Sequence, residues 1–395
     1  MGRRAMEDIE IYQLAGEVLG TITHELSDGI YAKLGGELSI NWRGEKIFGA
    51  FASSPGEIDK PPKHGITVYY EFVRQVWRDA EEFCKFLRSI PEGTDVDKLY
   101  DFYDDRVKLP TCFNDEGHVK NMFVAAITWV YFHEIGHLMQ EHGVIRDEFG
   151  PSDGDAKQTS DVYDLEASKD KHVVGREALV SHVTELAADF EATNFYVIEL
   201  LRHVIDPDFV DEKERTEVLS GLIYLMVCGV SLVFFRFNGN QPILPTAVIE
   251  GSHPNPLIRL EFIVPQIFES LDGSMARSAT DHDIDRRQLV LLCTKAAFSA
   301  TLYWSMAKTE NHMFDNRLML KGLLSNPIVL QYFQPIVESW DEMSPRVKEV
   351  RRYGLPRGLM TFTDEFRKRI ADVITWGNGP EANVTASSPP DAMAS

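Results

Sequence analysis

The apolar positions of this chain fall mainly at helical spacing. Residues 7–27 place Ile9, Leu14, Val18, Leu19 and Ile22 where they predict one amphipathic helix. Residues 37–42 and 46–52 predict two strands about the turn Arg43-Gly44-Glu45. Ile66-Thr67-Val68-Tyr69-Tyr70 predicts a third, rich in β-branched and aromatic side chains. Residues 71–90 predict a charged amphipathic helix that stops before Pro91. Helical pattern then dominates: 120–142, the most apolar of these segments, followed by 175–206, 216–236, 255–271 and 285–308. Residues 316–373 read as helices broken at Pro327, Pro335, Pro345 and Pro356. The fold class expected is mainly α with a small β-sheet (α+β), the sheet lying near the N-terminus.

Two stretches interrupt the pattern. Residues 147–171 hold Gly150, Pro151, Gly154 and many Asp and Ser residues, and predict a flexible acidic loop. Residues 377–395 are low in complexity and predict a disordered tail. Val218 to Phe235 carries no charge over 18 residues, the lower edge of a membrane-spanning length. Its Ser, Gly and Cys content, the lack of a polybasic flank and the lack of a second long apolar segment favour a buried core helix.

Composition narrows the partners. The chain has 395 residues, enough for one large domain or two ordinary ones. Its formal charge is −21, which repels phosphate backbones and anionic membrane surfaces, so nucleic acid is excluded as a partner. Cys84, Cys112, Cys228 and Cys293 are widely spaced, as in a reducing compartment. The first residues lead to no apolar signal core, and a cytoplasmic location is the expectation.

The chemistry begins at His133-Glu134-Ile135-Gly136-His137, an HExxH motif. On a helix, His133 and His137 stack at i and i+4 and can reach one metal ion, Zn2+ by this donor set. Glu134 stands about 100° round the helix and can act as general base on an attacking water. A third ligand is needed. A His six residues beyond His137 would complete a metzincin site, but position 143 is Gly. His142 falls at i+5, on the wrong side for the same metal, and reads as a helix-end residue, either solvated or supporting a ligand. Glu185, in Thr184-Glu185-Leu186-Ala187-Ala188-Asp189, is the remaining candidate, with His182 on the same face as the alternative. Asp189 shares that face at i+4 and can orient a ligating imidazole. Ala187 and Ala188 would let two helices approach closely.

HEIGH, the later Glu185–Asp189 ExxAD, and Ser252-His253-Pro254 with Arg259 form an ordered triple. It resembles the gluzincin peptidases that include HtpX and the CAAX prenyl proteases. Phe48 to Ala52, followed by the strand at 66–70, is similar to that family's substrate-side edge strand. The resemblance implies Glu185 as third ligand, His253 beside the oxyanion and Arg259 holding the site together. An amide's tetrahedral intermediate does need a hydrogen-bond donor there. The order of motifs also resembles phage-exclusion peptidases of the Lit type. That implies a defence endopeptidase cutting a specific protein or peptide substrate, under the control of an activator protein or peptide. The domains expected are a zincin-like metallopeptidase domain over 1–271, a helical C-terminal region over 272–376, and the tail. Two other functions fit the same residues: a non-catalytic zinc-bound scaffold that binds a partner, and a membrane-associated quality-control peptidase.

Overall fold

The chain folds mainly as α-helices with a small mixed sheet, and the computed structural model describes residues 6–103, 106–151, 162–163, 173–239, 244, 246–309, 326–353 and 358–377. Helix α1 (Asp8–Leu26) buries Ile11, Ala15, Leu19 and Thr23, an i, i+4 stripe. Ile9 lies off that stripe and is exposed, unlike the prediction.

Three strands follow: β1 (Glu37–Arg43), β2 (Ala50–Ser53) and β3 (Lys63–Tyr69). The turn at 43–45 does not make a hairpin. Strand β3 lies between the other two, parallel to β1 and antiparallel to β2. Its side chains are buried from His64 to Tyr69, so the most apolar strand takes the centre. The expected strand at 46–52 is trimmed to Ala50–Ser53. Helix α2 (Tyr70–Ser89) follows β3 directly.

Helix α3 (Asp115–Met139) is capped by Asn114, whose Oδ1 accepts from the amides of Glu116 and Gly117 at 3.1 and 2.8 Å. It is buried almost all round, the pattern of a helix enclosed by others. It ends at Met139, and a short helix α4 (His142–Phe149) starts after Glu141, whose φ of 51° is left-handed. The two-residue strand β4 (Val162–Tyr163) pairs antiparallel with β2. The strand read as a substrate-side edge therefore already has a neighbour on each side. The remainder of the predicted acidic loop, 152–161 and 164–171, and the tail from 378 lie outside the described residues.

Helices α5 (Gly175–Ile205) and α6 (Arg215–Asn238) pack against α3, α7 (Pro256–Asp272) packs on α5, and α8 (Arg286–Ala307) packs on α6 and α7. Both α6 and α8 lie in segments long and apolar enough to cross a membrane, so the uncharged segment does have a companion. Here both are largely interior, α6 lying against α3 and α8. Each buried Leu, Ile, Val or Phe along α6 contributes about 1.5–3 kcal/mol. Helix α9 (Pro327–Val350) runs through Pro335 and Pro345, which were expected to break it. Each proline costs ~3 kcal/mol of helix. The stripe Val329, Phe333, Ile336, Val337, Trp340, Met343 and Val347 offsets this by burial. Helix α10 (Asp364–Gly377) closes the described chain.

Candidate metal centre

Helices α3 and α5 cross at Gly136. A Cβ there would stand 3.1 Å from the Ala188 carbonyl oxygen and 3.2 Å from its Cα, so glycine sets how closely the helices approach. That approach brings His133 and His137 against Glu185. His133 Nε2 and His137 Nε2 are 3.0 Å apart. Glu185 Oε2 is 3.2 Å from His133 Nε2, and Oε1 is 3.3 Å from His137 Nε2. Ligands on a tetrahedral ion with bonds of about 2.0–2.1 Å lie roughly 3.3 Å apart, so the spacing fits.

The proton positions fit as well. His133 Nδ1 lies 2.9 Å from Asp189 Oδ1, which calls for the proton on Nδ1 and leaves a lone pair on Nε2. Glu185 Oε2 is buried without a hydrogen-bond partner. Nitrogens and carboxylate oxygens this close in a dry site need a proton or a metal ion between them. His133, His137 and Glu185 are thus a buried cluster able to hold a metal ion.

The electrostatics point the same way. Burial alone would lower the pKa of His133, but the carboxylates of Asp189 and Glu185 reverse this and raise it to about 10. Burial, opposed by Glu185 and helped by the charges of His133 and Arg146, takes His137 down to about 4. Burial opposes ionisation of Glu185, yet His253, His137 and His133 hold it well below the usual carboxylate range. The carboxylates favour positive charge at His133, while burial keeps His137 neutral.

Around it stands a frame. Arg259 grips Asp189 with Nε to Oδ2 at 2.8 Å and Nη2 to Oδ1 at 2.6 Å, a bidentate pair. The same guanidinium lies over the ring of Phe234 on α6, 4.2 Å from its centroid. Trp129 stacks on His133 one turn earlier in α3. His253 comes from the loop before α7. Ser181 Oγ donates to the Ser252 carbonyl at 2.8 Å, and the Gly251 amide donates to Val173 at 2.8 Å. These bonds tie the loop to α5 and to the residues just before it, and leave His253 Nε2 3.7 Å from Glu185 Oε2.

Glu134 is buried on the same turn as His133. His133, Glu134, His137 and Glu185 are each 2% exposed or less, whereas the side chains of His253 and Arg146 keep 11% and 24%. The last two therefore form the wetter margin of the centre. His182, the alternative ligand, instead faces the Tyr332 hydroxyl at 2.9 Å and is not in the cluster.

Sequence reasoning missed Arg146. It donates from Nη2 to Glu185 Oε1 and from Nε to Thr184 Oγ1, both at 2.7 Å. Nothing in its position nine residues after His137 signals this, because α4 first has to turn back onto α5. The spacing alone leaves His142 either solvated or supporting a ligand. It is fully buried, with Nδ1 2.9 Å from His137 Nδ1.

No family model, curated protein or solved structure matches this chain.

Proposed function

We propose that this chain is a zinc-dependent endopeptidase of the gluzincin type. The observation that carries the reading is the convergence of His133, His137 and Glu185 with Glu134 on the same helical turn. A zinc ion held by those three residues would polarise a scissile carbonyl and lower the pKa of a water molecule toward neutrality. Glu134 takes the proton of the attacking water and passes it to the leaving amine. His253, at the margin of the centre, donates a hydrogen bond to the developing oxyanion. Asp189 and Arg259 hold His133 in place. The intact Glu134 also favours catalysis over a zinc scaffold, since structural zinc needs no base. The four free cysteines suit a cytoplasmic setting, and the motif order suits a phage-exclusion role of the Lit type.

The test is peptide mapping of new N-termini in a bacterial lysate incubated with zinc-loaded wild-type protein or with Glu134→Gln. New termini found only with the wild type support the endopeptidase, and sites confined to one protein support the defence role. Identical maps from two proteins that both bind zinc would replace catalysis with a partner-binding scaffold.

A further inference from the structure

His137 has no carboxylate on its outer nitrogen. Its Nδ1 faces His142 Nδ1 at 2.9 Å. His142 Nε2 in turn faces Gln140 Oε1 at 3.3 Å, and Gln140 Nε2 donates to Glu191 Oε2 at 2.5 Å. All four side chains are buried, at 2%, 0%, 0% and 1% exposure.

The direction of every bond follows from one end. For His137 Nε2 to offer a lone pair to a metal, Nδ1 must carry the proton. That proton points at His142 Nδ1, which must then accept. A neutral His142 that accepts at Nδ1 carries its own proton on Nε2, and this points at the Gln140 oxygen. The Gln140 amide nitrogen is left to donate, and Glu191 supplies the acceptor. No link needs a second proton and none lacks one. The reverse direction would leave His137 protonated on Nε2, facing Glu185 Oε1 at 3.3 Å, with no lone pair there for a metal.

The backbone is shaped for this contact. In an unbroken helix His142 would lie ~140° round from His137. Glu141 adopts φ 51° and ψ 45°, a left-handed conformation that a residue other than glycine holds at a cost of order 1–3 kcal/mol. Arg352 holds it there by bonding the Glu141 carboxylate through Nε and the carbonyls of Lys60 and Glu57 through Nη1 and Nη2. The turn swings His142 back onto His137, with ring centroids 4.9 Å apart and planes at 78°.

We propose that His142 is a positioning residue for the metal centre, fixing His137 in its Nδ1-protonated tautomer through a one-way hydrogen-bond chain that runs by Gln140 to Glu191. This rests on the metal reading of His137 above, and the experiment separates the two.

Zinc affinity is measured by competition with a chromophoric chelator for wild type, His142→Leu and His142→Asn. The side-chain nitrogens of His137 are followed by 15N NMR with and without zinc. Leucine removes the acceptor, whereas the asparagine oxygen falls near the position of Nδ1. The expected result is a loss of about 10- to 100-fold in zinc affinity for His142→Leu, the range for residues that orient a ligand, with most of it restored in His142→Asn. His137 should show the Nδ1-protonated tautomer in the zinc-free wild type. An Nε2-protonated His137 there overturns the proposal, and so does His142→Leu binding zinc as tightly as wild type. Should His142→Leu not fold, the wild-type tautomer and His142→Asn still decide. A wild type that binds no zinc at all sinks the metal reading itself, while the tautomer measurement still reports on the chain.

Discussion

The two histidines of one motif are held in opposite ways. His133 leans on charge: Asp189 faces its outer nitrogen, Arg259 clamps Asp189, and Phe234 lies under the guanidinium. His137 leans on neutral donors and acceptors: His142, Gln140 and then a buried carboxyl. The pKa values separate too, His133 rising to about 10 through Asp189 and Glu185 and His137 falling to about 4 chiefly through burial. A charged partner makes its imidazole more basic as well as oriented. A neutral partner orients without adding a second buried charge, which would need its own counterion. Both arrangements tie the end of α3 to α5, from Asp189 on one side and Glu191 on the other.

Breaking the charged side has the largest expected effect. Arg259→Met leaves Asp189 buried without its cation, and breaking such a pair costs about 3–5 kcal/mol. Urea unfolding measures it. A loss below ~1 kcal/mol would mean that Asp189 is held mainly by His133 and that the contrast is overstated.

Gly136→Ala acts on both sides at once. The new methyl would meet Ala188 O at 3.1 Å, so the helices must shift by a few tenths of an ångström. Overpacking of this kind costs about 1–3 kcal/mol. Zinc affinity should fall along with stability. Lower stability with unchanged zinc affinity would show that the cluster tolerates wider helix spacing.

The neutral side is tested by pH. Burial raises the Glu191 carboxyl from 4.5 to about 8, against the bond from Gln140 and the charge of Arg351. Between those values the folded chain keeps a proton that the unfolded chain releases, so this group's stabilising contribution is full below 4.5 and falls until about 8. Glu191→Gln keeps an acceptor for Gln140 and removes the titration. Melting temperatures across this window should therefore shift in favour of Glu191→Gln as the pH rises. A constant gap would show that Glu191 is ionised in the fold, and would make the two sides alike.

The smallest effect is expected at the margin. Ser252→Ala removes the 2.8 Å bond between Ser252 Oγ and His253 Nδ1, worth about 0.5–1.5 kcal/mol. If His253 serves the oxyanion, kcat should fall several-fold with KM little changed, as steady-state peptide hydrolysis would measure.

Much of this centre was legible in the primary structure because its spacing is local. His133, Glu134 and His137 follow from the helical repeat, and Glu185 and Asp189 follow from the same repeat on a second helix. Helices α1 to α3 and α5 to α8 were legible for the same reason, whereas α4 was not, its last residues lying in the stretch expected to be a loop. The errors have non-local causes. Apolar spacing does not encode which strand lies between two others, so β3 was not placed at the centre of the sheet. Pro335 and Pro345 were read as breaks because their cost is local while the burial that offsets it comes from other elements.

The amino-acid sequence by itself therefore determined the helical class, the candidate ligand types and the helix faces that carry them. Only the tertiary structure decided what stands behind each ligand. Arg259 reaches Asp189 across 70 positions, and Gln140 reaches Glu191 across 51. His142 reaches His137 across only five, but through a left-handed residue held by Arg352, 211 positions further on. A ligand pair on one helix is fixed by the repeat of that helix, whereas its supports depend on how separate elements pack. Packing is a property of the whole buried core, so no local pattern announces it.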